Sequence, residues 1–325
     1  MPAGRFWMGG DPLALGAWLG RLIDLTTSLL MAAYPVTVAQ FQAFVDAGGY
    51  TKRWGALWSN IGWSWKQRYN SGAGLDGPLG WVSVLAPVRI GNHPVKVTWY
   101  EAAAFARWLE NLRRDGSLRL PVCVPEDHVI RLPDEAEREW AARYPDGRAF
   151  PWGDRYRSGF ANIDETAHNE RVGPHYLRRI TAVGIYPLGR QPELDLYDLS
   201  GNDSEWCLTC WDEAGYRGNN NAEAGCHRVS RGGHFHNGAR FARAASRTWA
   251  DPDPDDQYDP SCGFRLVIGP RFETMQGASQ AFPVQISFPS YSGGSSVSCC
   301  CCRIAPIARR SLRGHSTNYR DRDNA

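Results

Sequence analysis

Apolar positions fall into a helical period in three places. From Tyr34 the chain reads YPVTVAQFQAFVDAGGY, which places Phe41, Phe44 and Val45 on one face. Thr37 can cap that helix and Gly48-Gly49 can end it. HPVKVTWYEAAAFARWLENL (93–112) predicts a short strand, a cap at Thr98, and a helix carrying Ala103, Phe105, Ala106, Trp108 and Leu109. RLPDEAEREWAARY (131–144) predicts a third helix: Pro133 suits its first turn, and Asp134, Glu135 and Glu137 favour its positive end. Leu13–Ala33 is fairly apolar but interrupted by Arg21 and Asp24, so it reads as a buried amphipathic helix rather than a membrane span.

Between these segments the pattern is irregular. MPAGRFWMGGDP (1–12) predicts a strand and a turn, FPWGD (150–154) a tight turn, and 180–211 strands and turns around a buried Trp206. The span 54–81, with Trp54, Trp58, Trp63, Trp65 and Trp81, reads as a loop whose aromatics pack on the core. Arg228–Val267 follows no period at all. Fixed-looking Arg-Gly-Gly, Arg-Ala and Gly-Phe-Arg groups alternate there with small and polar residues.

Composition narrows the class. With 325 residues, 43% hydrophobic and 22% charged, the chain can bury a large core, and 14 Trp with 34 Gly imply irregular backbone pinned by aromatics. A net charge of +2 offers nothing to nucleic acid or an acidic membrane. Without an export signal the expected location is the cytoplasm, with the nine cysteines as reduced thiols. Residues 1–272 read as one domain and 273–325, rich in Ser, Gly and Arg with a Cys299–Cys302 run, as a poorly ordered tail.

In order, MPAGRFWMGG, YPVTVAQFQAFV, HPVKVTWYEAAAFARWL, RLPDEAEREWAAR, FPWGD, Ala161-Asn162, YDLSGNDSEW, RVSRGGH and GFRLV resemble the formylglycine-generating enzyme (sulfatase-modifying factor) family, over roughly residues 1–268. The resemblance implies an α+β, C-type-lectin-like fold with few helices around a twisted antiparallel sheet and long loops. The family's oxidases bind copper(I) through two cysteines after Arg-Gly-Gly, as soft thiolates suit that ion. Here about Asn237 and Ala242 stand in those places, so oxidase chemistry is not expected. A carbon–sulfur bond-forming branch holds iron on a His-rich helical domain that these residues lack; His234 and His236 alone offer no third ligand. Cys207 and Cys210 form a lone CxxC, expected in the core. Asn162, the Ile163 carbonyl, Asn202 and Glu205 match places where family members hold structural calcium. The alternative is that Asn202 supports a turn and Glu205 pairs with an arginine. No cofactor is required.

The same fold serves variable proteins of diversity-generating retroelements, in which adenine mutagenesis rewrites codons between Arg-Gly-Gly and Gly-Phe-Arg. Asn codons there yield many residue types but never Lys, Glu, Gln, Met or Trp. Within 234–262, apart from the framework residues Ala239, Arg240, Arg243, Ala244, Ala245, Arg247, Trp249 and Pro252, only Gln257 breaks that rule. The resemblance therefore implies a non-catalytic binding protein. Its variable positions would be His234, Phe235, His236, Asn237, Gly238, Phe241, Ser246, Thr248 and Ala250, then Asp251, Asp253, Asp255, Asp256, Gln257, Tyr258, Asp259 and Ser261. Arg231, Gly232, Gly233, Arg240, Arg243, Arg247, Trp249, Gly263, Phe264 and Arg265 would be the scaffold, with guanidinium groups bonding loop carbonyls. The expected partner is a protein or other macromolecule of unknown identity, with no nucleic acid and no membrane insertion. A divergent oxidase, or a pseudoenzyme that partners one, is the alternative.

Overall fold

The computed structural model describes residues 1–272 apart from 74–76, 79–80, 82–89, 169 and 253–261. The Cys299–Cys302 run, with the rest of the 273–325 segment, lies outside the described residues. Among the described residues, short helical and strand segments are arranged as three small antiparallel sheets with helices packed around them. β1 (Gly4–Met8) pairs with β2 (Arg21–Leu25). β3 (Leu30–Met31) and β4 (His128–Arg131) flank β8 (Val267–Pro270). β5 (Glu205–Cys210), β6 (Arg228–Arg231) and β7 (Arg247–Ala250) form the third sheet.

The three periodic segments become helices by the mechanisms their sequences advertise. α1 (Val38–Asp46) and α3 (Trp99–Arg114) each begin in a capping box, Thr37 with Gln40 and Thr98 with Glu101. In both, hydroxyl and N3 side chain satisfy each other's backbone N–H. α4 (Glu135–Arg143) does the same with Asp134 and Glu137, so Pro133 stands just before the cap and not in the first turn. Phe41, Phe44, Phe105 and Trp108 meet Phe264 and Trp206 in the largest apolar cluster. Edge-to-face and stacked ring pairs set their mutual angles. Phe264, from the Gly-Phe-Arg group, is fully buried there, which ties the end of the irregular stretch into the core.

Several expectations are corrected. Leu13–Ala33 is not a helix. Gly16 and Gly20 take φ of 64° and 76°, which turn the chain, and its second half forms β2 and β3. Its apolar side chains lie on no common face: Leu29 and Met31 are buried, whereas Leu13, Leu19 and Leu22 are exposed. The Trp-rich span is not a loop either. It forms a 3-10 helix (Lys52–Leu57) and α2 (Asn60–Ala73), started by Ser59, whose hydroxyl accepts from Gly62 N at 3.0 Å. Its tryptophans do pack on the core, as Trp54, Trp58 and Trp65 are buried. The strand expected near 93–97 is reduced to two bridges, Thr37 with Pro94 and Val97 with Cys262.

The cysteines are not all thiols. Cys210 at the end of β5 is bonded to Cys226, across the loop leading to β6, while Cys207 is a buried core residue. The disulfide closes a loop with a sequence separation of 16, for which chain entropy gives about 3 kcal/mol of stabilisation. Peptide mapping without reductant is expected to recover Cys210 and Cys226 as one linked peptide. Cys226→Ser is expected to lower the unfolding free energy by about 3 kcal/mol. Recovery of both cysteines as alkylated thiols would contradict the pairing.

Candidate functional site

The irregular stretch is clamped at both ends onto α4. Arg231, at the end of β6, is almost wholly buried and donates through Nη2 to Glu135 Oε1 at 2.7 Å; the same nitrogen lies 2.8 Å from Glu139 Oε2. Arg247, at the start of β7, places Nε and Nη2 on the two oxygens of Glu135 at 2.7 and 3.0 Å. At the far end, Arg265 grips both oxygens of Glu205 at 2.6 Å, and Arg138 of α4 adds a third bond at 3.0 Å. Burial would raise the Glu205 carboxyl, but Arg138 and Arg265 outweigh it and hold the group below its ordinary range. In the low-dielectric interior such multiply bonded guanidinium–carboxylate clusters are costly to leave half-made.

Gly232 and Gly233 leave this clamp with φ of 97° and 70°. A Cβ on Gly233 would sit 3.0 Å from the Phe241 carbonyl, so the turn needs glycine both for conformation and for the close approach. Residues 234–237 then come to the surface. His236 is exposed, and His234, Phe235 and Asn237 are half-buried. Phe241, Thr248 and Ala250 are half-buried and Asp251 exposed. Asp253, Asp255, Asp256, Gln257, Tyr258, Asp259 and Ser261 lie outside the described residues.

Some members of the predicted set belong elsewhere. Ser246 is buried, donates to the Arg240 carbonyl and accepts from Leu15 N, so it braces the stretch and is not displayed. Gly238 is buried too, and a Cβ there would fall 2.8 Å from Glu170 Oε2. Conversely, two scaffold assignments fail. Trp249 is 51% exposed and stacks on His227 with centroids 4.2 Å apart. Arg240 is exposed and meets Glu170 only at 3.6 Å. Arg243 does brace, bonding Asp11 Oδ2 at 2.7 Å and standing over the Phe150 ring. Arg228, which sequence reading passed over, is wholly buried on the face of Trp99 at 3.8 Å and donates to the carbonyls of Leu208, Asn221 and Ala224.

The residues matched to calcium are arranged otherwise. Asn202 Oδ1 accepts from Thr181 N, Thr181 Oγ1 and Asn162 Nδ2 at 2.9–3.0 Å, and Asn202 itself has φ of 67° in a turn. Both Glu205 oxygens face arginines. Donors are thus already directed at Asn202 Oδ1 and at both Glu205 oxygens, whereas Asn162 Oδ1 is buried without a hydrogen-bond partner. Among the described residues no group of three or more His, Cys, Asp or Glu could hold a metal. His234 and His236 face each other edge to face, and His234 Nδ1 accepts from the His236 backbone. The places compared with the copper cysteines hold Asn237, whose Oδ1 accepts from His234 N, and Ala242, which is completely buried.

A second loop, 164–178, borders the exposed residues; only its polarity marks it in the sequence. Its hub is Glu165, buried and accepting from Tyr156, Ser158, Gly159 N and His175 N. Asp164 N donates to the Asn237 carbonyl at 2.9 Å, and Arg240 N donates to Glu170.

This frame defines a class before it defines a relative: a lectin-like α+β scaffold presenting an ion-clamped loop. The sulfatase-modifying factor enzyme 1-like domain matches residues 1–270, and the chain belongs to that family. Solved structures similar in fold include PvdO of Pseudomonas aeruginosa, with TM-score 0.52 and 19% identity, covering 82% of this chain and 92% of that one. Treponema denticola variable protein 1 is similar as well, with TM-score 0.51 and 18% identity over 83% of this chain and 94% of that one. Among curated proteins, the hercynine oxygenase of Mycolicibacterium thermoresistibile is 40% identical over 83 residues, 23% of this chain and 17% of that protein. The hercynine oxygenase of Mycolicibacterium smegmatis is 34% identical over 122 residues, 33% and 27% respectively. The chain thus spans well under half the length of these relatives. Among the described residues no helix is long and apolar enough to cross a membrane.

The Glu165 hub makes the 164–178 loop sensitive to acid. Burial would raise this carboxyl, but the donors Ser158, Gly159, Tyr156 and His175 prevail and hold it below the ordinary value of 4.5. Because the folded value lies below the unfolded one, its contribution is complete above pH 4.5 and is lost as pH falls through the folded value. Proteolytic nicking at Arg171 by an acid-tolerant protease is expected to accelerate below that pH. Glu165→Gln is expected to nick readily at every pH. A pH-independent nicking rate in the unsubstituted chain would refute the assignment.

Proposed function

We propose that this chain is a non-catalytic ligand-binding protein, diversified as a retroelement variable protein, whose ligand surface lies within 234–262. The observation that carries the reading is the division of labour within the stretch. Arg231, Arg247 and Arg265 are held by Glu135, Glu139 and Glu205, all of which lie outside it, while residues 234–237 come to the surface between them. Side chains that bear on no core contact can be exchanged at little cost in stability, which is what a diversified surface requires. Fold similarity to a Treponema variable protein agrees with this use of the scaffold. The partner is a protein or other macromolecule and no cofactor is required; the Cys210–Cys226 disulfide fits an oxidising compartment better than the cytoplasm expected from the sequence.

Two tests follow from the reading. A near-copy of the DNA for residues 228–267, with Asn codons at the irregular positions, should lie beside a reverse transcriptase gene; a neighbourhood without either would remove diversification. A displayed library varying 234–237, 241, 248, 250 and 251 is expected to stay folded in most members and to yield binders to unrelated proteins. A library that is mostly unfolded would contradict the proposal.

The second reading is an oxygen-using enzyme, favoured by the identity to hercynine oxygenases. It predicts oxygen consumption when the iron(II)-loaded or copper(I)-loaded chain is given hercynine or a thiol substrate. Our reading predicts none above the free-metal background.

A further inference from the structure

We infer that the loop 164–178 supplies a fixed half of the ligand surface, and that the combined patch takes a protein segment bearing carboxylates beside aromatic or apolar side chains. The inference rests on the binding reading above and adds to it a partner chemistry and residues outside the variable stretch. Its first support is continuity. Tyr176 meets His236 with ring centroids 5.9 Å apart and is hydrogen-bonded to its Nδ1. His236 lies 4.1 Å from Phe235, and Phe235 5.7 Å from His234. Four rings from two separate segments thus form one patch, with His236 exposed and the other three half-buried.

Its second support is charge. Arg178 stands 5.2 Å over the Tyr176 ring and is exposed, as is Arg171. Of the loop's carboxylates, Glu165 is buried under four donors and Asp164 Oδ1 accepts from Thr166 N and Oγ1. Glu170 is turned toward Arg240. The exposed charged side chains of the loop are the cations Arg171 and Arg178, while Glu165 is buried and Asp164 and Glu170 are half-buried. Arg178 also has φ of 56°, a conformation that a non-glycine residue holds only under constraint. A surface of rings with a guanidinium stacked on one of them offers carboxylates a bidentate partner and apolar groups a face. A partner protein is favoured over nucleic acid because the chain's net charge is only +2.

The test uses the intact chain and three defined probes: a random glutamate–tyrosine copolymer, a lysine–tyrosine copolymer and a single-stranded oligothymidylate. The glutamate copolymer is expected to bind most tightly. Tyr176→Ala and Arg178→Gly should each weaken it roughly tenfold. Glycine accepts the positive φ without strain, so the second variant removes the guanidinium while keeping the fold. Phe235→Ala should weaken binding similarly, and Leu22→Ala, an exposed residue of the β1–β2 hairpin, should not. If Phe235→Ala loses the probe while both loop variants keep it, the fixed half is refuted and the variable surface stands. If the loop variants lose it and Phe235→Ala does not, the joint patch is refuted together with the variable surface. Equal or tighter binding of the lysine copolymer or the oligonucleotide would overturn the partner chemistry.

Discussion

The structure depends on one carboxylate more than on any other group. Glu135, at the first position of α4, carries Arg231 on one oxygen and Arg247 on both. Those arginines sit on neighbouring strands at a matched register, so a single side chain sets the spacing of β6 and β7. Residues 232–246 leave and return between those two fixed points. Arg138, three residues further along the same helix, joins Glu205 and Arg265 and closes the stretch at its other end. Burying this much charge is favourable only with every partner in place. The geometry is therefore specified by the clamp, whatever is displayed between its jaws.

That arrangement separates folding from recognition. The apolar core, led by Phe41, Phe105, Trp206 and Phe264, makes no use of His234, Phe235 or His236. These rings instead continue across the chain to Tyr176, on a loop organised by its own buried carboxylate, Glu165. A ligand would thus meet two surfaces, each braced by a buried anion and neither needed for the core. At the places compared with the copper cysteines, Ala242 is packed completely and Asn237 closes a turn through His234 N.

Much of the fold was legible because the signals were local. Thr37, Thr98 and Asp134 each announce a helix start through a partner three residues on, and the apolar period supplies the rest. Leu13–Ala33 misled for the opposite reason. Its apolar residues have no common face, and two positive-φ glycines decide the path by pairing it with β1. The Trp-rich span misled because Gly and Trp hide a helix whose stability comes from tertiary contact. At the site, Arg-Gly-Gly and Gly-Phe-Arg bound the stretch, and their arginines reach the buried carboxylates Glu135 and Glu205 where loop carbonyls had been expected as acceptors. Nothing in the sequence assigned Ser246 and Gly238 to the interior, Trp249 to the surface, or Arg228 to the Trp99 ring, since those depend on contacts more than a strand away.

The central claim is that the clamp, and not the displayed side chains, holds the stretch in place. Amide hydrogen exchange at residues 228–233 and 263–265 tests it most directly, compared between a chain with His234, Phe235, His236, Thr248 and Asp251 all replaced by serine and a chain carrying Glu135→Gln. The account predicts native protection at both flanks in the first and loss of protection at 228–233 in the second. Flanks that exchange freely in the serine variant, while remaining protected in Glu135→Gln, would contradict it.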